Sequence, residues 1–279
     1  LFPEAEHVVG DRTADLGPLA DRSWDAVVDV AAYHPRVVAL STAALGGRVE
    51  RYTFVSTVSV YADQSVPPVE GAATAELTRP DDESIETYGA RKAECERVVE
   101  EVFGELAFVV RPGLIVGPHD PTYRFTYWPR RVATGGTVLA PGSPDDPVQF
   151  VDVRDLGAWI VRATADGVSG VHNATGEPMA FSRLLDECRR VTQSDAEFVW
   201  VPSDRLLAAG VEEWMGVPLW IASPDWRAAN RVVVATESER NGHNGSDDGD
   251  GTACRAALAM AVASLEARDR ATAAHSDDV

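Results

Sequence analysis

Tyr88 and Lys92 are the two residues in this chain whose types and spacing best suit them to chemistry. They lie four apart in Thr87-Tyr88-Gly89-Ala90-Arg91-Lys92-Ala93-Glu94, which reads as the start of a helix. That spacing puts both side chains on one helical face. Free tyrosine titrates near pH ~10, and a fixed ammonium beside it favours the phenolate and lowers that value. A tyrosine tuned in this way can serve as acid or base, since proton transfer is most efficient when the pKa lies near the working pH. Y-x-x-x-K alone is a loose pattern, and in an arbitrary chain it is usually a solvated helix face. Composition sharpens it, because Lys92 is the only lysine among 25 Lys and Arg residues. A lone lysine placed at random would fall four residues after one of the six tyrosines only roughly 2% of the time. Arginine holds every other cationic post, yet cannot match a compact ammonium point charge.

Upstream, Tyr52-Thr53-Phe54-Val55-Ser56-Thr57-Val58-Ser59-Val60-Tyr61 reads as a buried strand running into a hydroxyl-rich end. Together the two stretches resemble the extended short-chain dehydrogenase/reductase superfamily, and within it the NAD-dependent epimerase/dehydratase family. The family pattern V-S-S/T-x-x-V-Y-G stands here as Val55-Ser56-Thr57-Val58-Ser59-Val60-Tyr61-Ala62. The resemblance implies an α/β fold: a Rossmann-like doubly wound parallel sheet with a smaller C-terminal substrate lobe. It implies NAD or NADP as cofactor, and epimerase, dehydratase or reductase chemistry on a nucleotide-sugar-like or related hydroxyl or carbonyl substrate. Tyr88 would move a proton on or off a substrate hydroxyl, Lys92 would lower the Tyr88 pKa and hold the nicotinamide ribose, and Thr57 would hydrogen-bond the reacting oxygen. Tyr61 is a structural tyrosine in this alignment.

The elements that must position these groups follow in order. Glu6–Arg12 reads as a short strand, and by the resemblance Asp11 contacts adenine; a turn or helix-cap aspartate is an equal alternative. Trp24–Tyr33 reads as a parallel strand buried on both faces. Small Ala31 and Ala32 at its carboxyl end leave room for a ligand, where open α/β sheets bind cofactors; in the resemblance this segment lies along the dinucleotide, with Asp29 replacing the usual His. A helix is expected over about 35–44, then the Thr57 strand, an acid- and Pro-rich loop over 64–84, and the Tyr88 helix. Leu106–Gly113 reads as another buried strand, and the resemblance sets Pro112 and Gly113 beside the nicotinamide, with Leu114 where many sugar-nucleotide enzymes carry Asn. Residues 123–134 interleave Tyr123, Phe125, Tyr127 and Trp128 with Arg124, Arg130 and Arg131. They form either a clamp for base and diphosphate, with Tyr127 and Arg130 as substrate contacts, or an amphipathic helix packing its aromatics. Asp152 or Asp155 is expected to cap the next helix. Trp214, Trp220 and Trp226 are expected to pack.

Relatives open with a strand, a G-x-x-G-x-x-G loop and a helix that hold the cofactor pyrophosphate. No such unit is found here, so the sheet is expected to be N-terminally incomplete and the chain truncated. Domain boundaries follow: 1–122, an incomplete NAD(P)-binding Rossmann-like domain; 123–235, mainly a substrate lobe, with sheet elements near 148–175; 236–279, a polar tail expected to be disordered. Leu258, Val262 and Leu265 there have helical spacing.

Composition bounds the rest. A net charge of −19 and a pI near 4.6 repel nucleic acid. The acidity suits solvation in strong salt, or reflects a high-GC genome. No apolar run is long enough for a membrane span, and the first residues lack the basic start and apolar core of a signal peptide. Three widely spaced cysteines favour reduced thiols in a cytoplasm. Scattered histidines predict no metal site. The expected partner is a small molecule, with a homodimer allowed. Silent dinucleotide sensors and RNA-binding proteins share this fold; the intact Thr57/Tyr88/Lys92 set argues against the first, the charge against the second.

Overall fold

The structure, a computed structural model, describes residues 3–14, 16–223, 226 and 228–234. The tail expectations for 236–279, including the Leu258/Val262/Leu265 helix, lie outside the described residues. The described chain divides into two compact units. The first takes in residues up to Asp63, Val69–Pro112 and Ala158–Ala174; the second, Gln64–Pro68, Gly113–Gly157 and the described residues from Thr175 on.

In chain order the elements are α1 (Gly17–Ala20), β1 (Val27–Asp29), α2 (Pro35–Leu45), β2 (Tyr52–Val55), α3 (Tyr88–Phe103), β3 (Ala107–Pro112) and β4 (Leu114–Val116). There follow α4 (Tyr127–Ala133), β5 (Thr137–Pro141), β6 (Pro147–Val148), β7 (Phe150–Asp152) and α5 (Val153–Ala165). The last are β8 (Gly170–Ala174), β9 (Met179–Ala180), α6 (Phe181–Thr192), β10 (Glu197–Val201) and α7 (Ser203–Ala208).

The first unit is built on a wholly parallel four-stranded sheet in the order β1-β2-β3-β8. Successive residues of β2 and β3 face opposite sides, and helices cover both. Tyr52, Phe54 and Val109 pack with Val38 and Leu45 of α2 and Cys95, Val99 and Phe103 of α3. On the other face the Thr53 and Thr164 hydroxyls meet at 2.7 Å and Phe108 meets Trp159 edge-on, both partners coming from α5. This is the doubly wound Rossmann arrangement. Pro35 at the first turn starts α2 with its fixed φ. Gly104, at φ +50°, ends α3 in a conformation that favours glycine.

The second unit has its own core, with Phe125, Trp128 and Val132 around α4 packed against Phe181, Leu184, Leu185 and Cys188 of α6. Its strands pair two by two: β5 with β10 and β4 with β7 in parallel, β6 with β9 antiparallel. Asp152 caps α5, its Oδ1 accepting from the Arg154 amide at 2.8 Å.

Three expectations need correction. Glu6–Gly10 is not a strand: Val9 is 92% exposed, and a strand without a ladder partner leaves its backbone to water. The Trp24–Tyr33 strand shrinks to Val27–Asp29, with Val28 43% and Val30 66% exposed, so it is not buried on both faces; β1 is an edge strand among the described residues. Of the three tryptophans, Trp220 is buried and Trp214 packs partly buried against the core of the second unit, but Trp226 is 49% exposed. No helix among the described residues is long and apolar enough to cross a membrane. Cys95 and Cys188 are buried thiols.

Candidate active site

The parallel sheet brings the carboxyl ends of β1 and β2 side by side, and α3 lays Lys92 across them. Lys92 is 2% exposed, and its Nζ donates to the Ala32 and Val55 carbonyl oxygens, each at 2.8 Å. An ammonium has three donors, so one remains for a ligand. Nζ also lies 4.2 Å from the Phe54 ring centre and 5.8 Å from that of Tyr33. Burial pulls the ammonium down to about 8, with nearby Asp29 and Glu96 among the influences resisting.

After β2 the chain turns sharply. Thr57 caps the single turn Val58–Val60, its Oγ1 accepting from the Ser59 amide at 3.2 Å. The Tyr88 phenol lies near enough to Thr57 for that hydroxyl to influence its titration, so the two residues identified on either side of the 64–84 loop come close together. Burial raises the Tyr88 pKa, while the Thr57 contact and the Arg91 charge oppose that rise. This corrects the expectation from spacing, because the net shift is upward and Lys92 turns its charge onto strand-end carbonyls. Four-residue spacing fixes the helix face but not where a long side chain ends.

Gly89 explains how α3 can start so close to this turn. A Cβ there would sit 2.1 Å from the Ser59 carbonyl oxygen. Tyr61 is buried, donates to Asn173 Oδ1 at 2.6 Å, and carries the Arg111 guanidinium 4.8 Å above its ring. Arg111 in turn makes a buried two-pronged pair with Glu96.

Just beyond the end of β1, Ala31 is exposed and Ala32 buried. Asp11 is exposed, its Oδ1 accepting from the Thr13 amide at 2.8 Å and the Thr13 hydroxyl at 2.6 Å. Pro112 is buried at the end of β3. Gly113 in the second unit lies where a Cβ would come 2.7 Å from Thr175 Oγ1, itself buried without a partner among the described residues.

Tyr127 and Arg130 share the exposed face of α4, on a cavity of about 650 Å³ in the second unit. Tyr123, Arg124, Trp214 and Met215 also line it. Arg131 is committed to Thr134 and the carbonyls of Gly135 and Thr137. Arg124 lies against Trp214 and Met215. Tyr123 and Trp214 hold φ of +57° and +63°, left-handed values that bulky side chains rarely adopt and that cluster at functional positions. Sequence reasoning found the α4 residues but missed Trp214 as a wall, since positive φ leaves no mark on residue type here. It also missed Arg12, whose guanidinium pairs with Asp29.

The geometry defines a class: a Rossmann-fold α/β protein with a buried lysine and a Thr–Tyr hydroxyl pair at the carboxyl ends of its parallel strands. The model of the NAD dependent epimerase/dehydratase family matches residues 21–175, and the chain belongs to that family. Among solved structures it is similar to a dTDP-4-dehydrorhamnose reductase from Clostridium acetobutylicum ATCC 824, at 14% identity over 83% of this chain and 70% of that one, with TM-score 0.53. It is also similar to gox2253, at 18% identity over 94% and 84%, with TM-score 0.62. A third is a UDP-glucuronic acid 4-epimerase from Bacillus cereus in complex with NAD, at 16% identity over 80% and 76%, with TM-score 0.54. At these identities the likeness is one of fold. No curated protein sequence matches the chain.

Proposed function

We propose that the protein is an NAD(P)-dependent oxidoreductase, epimerase or dehydratase acting on a nucleotide-sugar-like substrate, with Thr57, Tyr88 and Lys92 as its catalytic residues. The observation that carries the reading is the buried ammonium held by the Ala32 and Val55 carbonyls, one helical turn from Tyr88, which itself lies near Thr57.

The residues of the first unit fit the nicotinamide-ribose half of a dinucleotide. Lys92 has a spare donor, and the Ser56 hydroxyl is buried with no partner among the described residues, a polar atom waiting for a ligand. Ala31 and Ala32 allow a ligand close to the backbone. When bound, the nicotinamide gives or takes the hydride. Tyr88 moves the proton at the substrate oxygen, and Thr57 hydrogen-bonds that oxygen and fixes the phenol's direction. Lys92 supplies positive charge at the ribose. In the second unit, Arg130 has no side-chain partner among the described residues and stands beside Tyr127 on the cavity wall, so an anionic group on arginine with a ring against the aromatics suits this lining. Asp11 and Pro112 complete the proposed cofactor contacts of the first unit.

Tyr88→Phe tests the reading. It removes one hydroxyl from a half-buried ring, so the melting temperature should stay close to that of the parent. Turnover of a nucleotide-sugar panel, followed by nicotinamide absorbance and product analysis, should fall at least about a hundredfold, the usual scale for a lost acid–base group. Undiminished turnover would remove Tyr88 from the mechanism.

A further inference from the structure

Asp29 ends β1 and is 7% exposed, so its charge needs compensation. Arg12 supplies it. Nη1 donates to Oδ1 at 2.8 Å and Nη2 to Oδ2 at 2.7 Å. The Tyr52 hydroxyl donates to Oδ2 at 2.9 Å, and the Ala31 amide to Oδ1 at 3.3 Å. Arg12 Nη2 also donates to Ser41 on α2 at 2.9 Å. Burial pushes the Asp29 pKa up, but Arg12 and Tyr52 together hold it below the ordinary carboxylate value. The carboxylate is therefore ionised and fully engaged.

Arg12 lies inside the small turn that Asp11 and Thr13 close, with the Ala14 amide also donating to the Asp11 carbonyl at 3.0 Å. The residues just before it run without regular structure. The only ladder-type pairing among the described residues of this turn is an isolated β-bridge at Asp11, too little to hold the turn in place. A two-pronged guanidinium–carboxylate pair, geometrically the most specific of side-chain contacts, takes that task at the carboxyl end of the sheet.

We propose that Arg12, Asp29 and Tyr52 form a positioning unit that holds the 11–14 turn against the sheet so that it receives the adenosine half of the dinucleotide. The inference rests on the dinucleotide reading above. None of the three residues touches the reacting atoms; each acts through the turn.

The test uses Arg12→Lys, which keeps the charge but loses the fork, and Tyr52→Phe, which removes one donor and keeps the ring. AMP and nicotinamide mononucleotide serve as probes for the two halves, titrated separately by NMR, with a thermal melt for each variant. Arg12→Lys should weaken AMP by about tenfold or more, a 1.4 kcal/mol change, and leave nicotinamide mononucleotide within about twofold. Hydrogen exchange at the Thr13 and Ala14 amides should quicken. Tyr52→Phe should show the same pattern at smaller size. AMP affinity equal to the parent, or equal loss of both probes, would overturn the positioning role while leaving the dinucleotide reading in place. Parent protein that binds neither probe would overturn the dinucleotide reading, and this inference with it.

Discussion

Lys92 carries opposed demands within one side chain. Its burial brings the ammonium down to about 8, below the ~10.4 of a free lysine. Between those values the unfolded chain binds a proton that the folded chain has released. Stability therefore rises with pH across that window, and below about 8 the cost of burying the charge is present in full. In urea titrations at fixed salt, the stability of the parent relative to Lys92→Met should climb by roughly 3 kcal/mol between about pH 8 and 10.5. A constant difference would mean that Lys92 titrates as a solvated lysine. On the proposed role of Lys92, catalysis should have the reverse dependence. If the charged form serves the ribose, turnover declines as pH passes through about 8, while the fold gains. Asp29 lies among the charges that hold the ammonium protonated, so Asp29→Asn should move that decline to lower pH. On that proposal, the lysine that would serve the ribose is one the fold would prefer neutral.

At the scale of elements, the meeting of α3 with the turn after β2 is decided by a glycine. Alanine usually stabilises a helix interior by ~1 kcal/mol over glycine. At Gly157 in α5 nothing lies within 4 Å of a built Cβ, and Gly157→Ala should show that gain in chemical unfolding. At Gly89 the Cβ would strike the Ser59 backbone oxygen at 2.1 Å, which cannot rotate away. Gly89→Ala should cost roughly 1–3 kcal/mol and lower turnover by parting Tyr88 from Thr57; a stabilised variant with full turnover would disprove the close approach. Much of this arrangement is legible in the sequence. The strand Tyr52–Val55 and helix Tyr88–Phe103 announce themselves by an apolar run, a hydroxyl-rich end and amphipathic spacing, and those local signals survive folding. Glu6–Arg12 misleads because it reads locally as a short strand, whereas a strand exists only with a neighbour. Asp29 is visible as an odd residue, but its partner Arg12 lies 17 positions away and is chosen by topology, which no local period records. The upward shift of Tyr88 is illegible for the same reason, since desolvation depends on what packs around the ring.

For the molecule as a whole, the excess of 44 acidic over 25 basic residues is a long-range load that individual contacts do not remove. The buried pairs Arg12–Asp29 and Arg111–Glu96 have acidic side chains only 6–7% exposed. Salt reaches such pairs poorly, so they should keep their geometry at any ionic strength. The remaining charge is largely at the surface, where the screening length falls from ~10 Å at 0.1 M to ~3 Å at 1 M. Self-repulsion at net −19 should therefore make the fold salt-dependent while leaving the site's internal pairs unchanged. We expect the melting temperature to rise steeply in KCl between about 0.1 and 1 M and to level off as the screening length drops below the spacing of surface charges. Choline chloride at equal ionic strength should reproduce the rise if screening is the cause. A further climb specific to KCl beyond about 1 M would instead point to hydrated ions bound by the acidic surface, the adaptation that a salt-loaded cytoplasm selects. A flat melting temperature across the range would mean that arginine already neutralises its neighbours locally, and the acidity would then be a record of codon composition with no part in holding the fold.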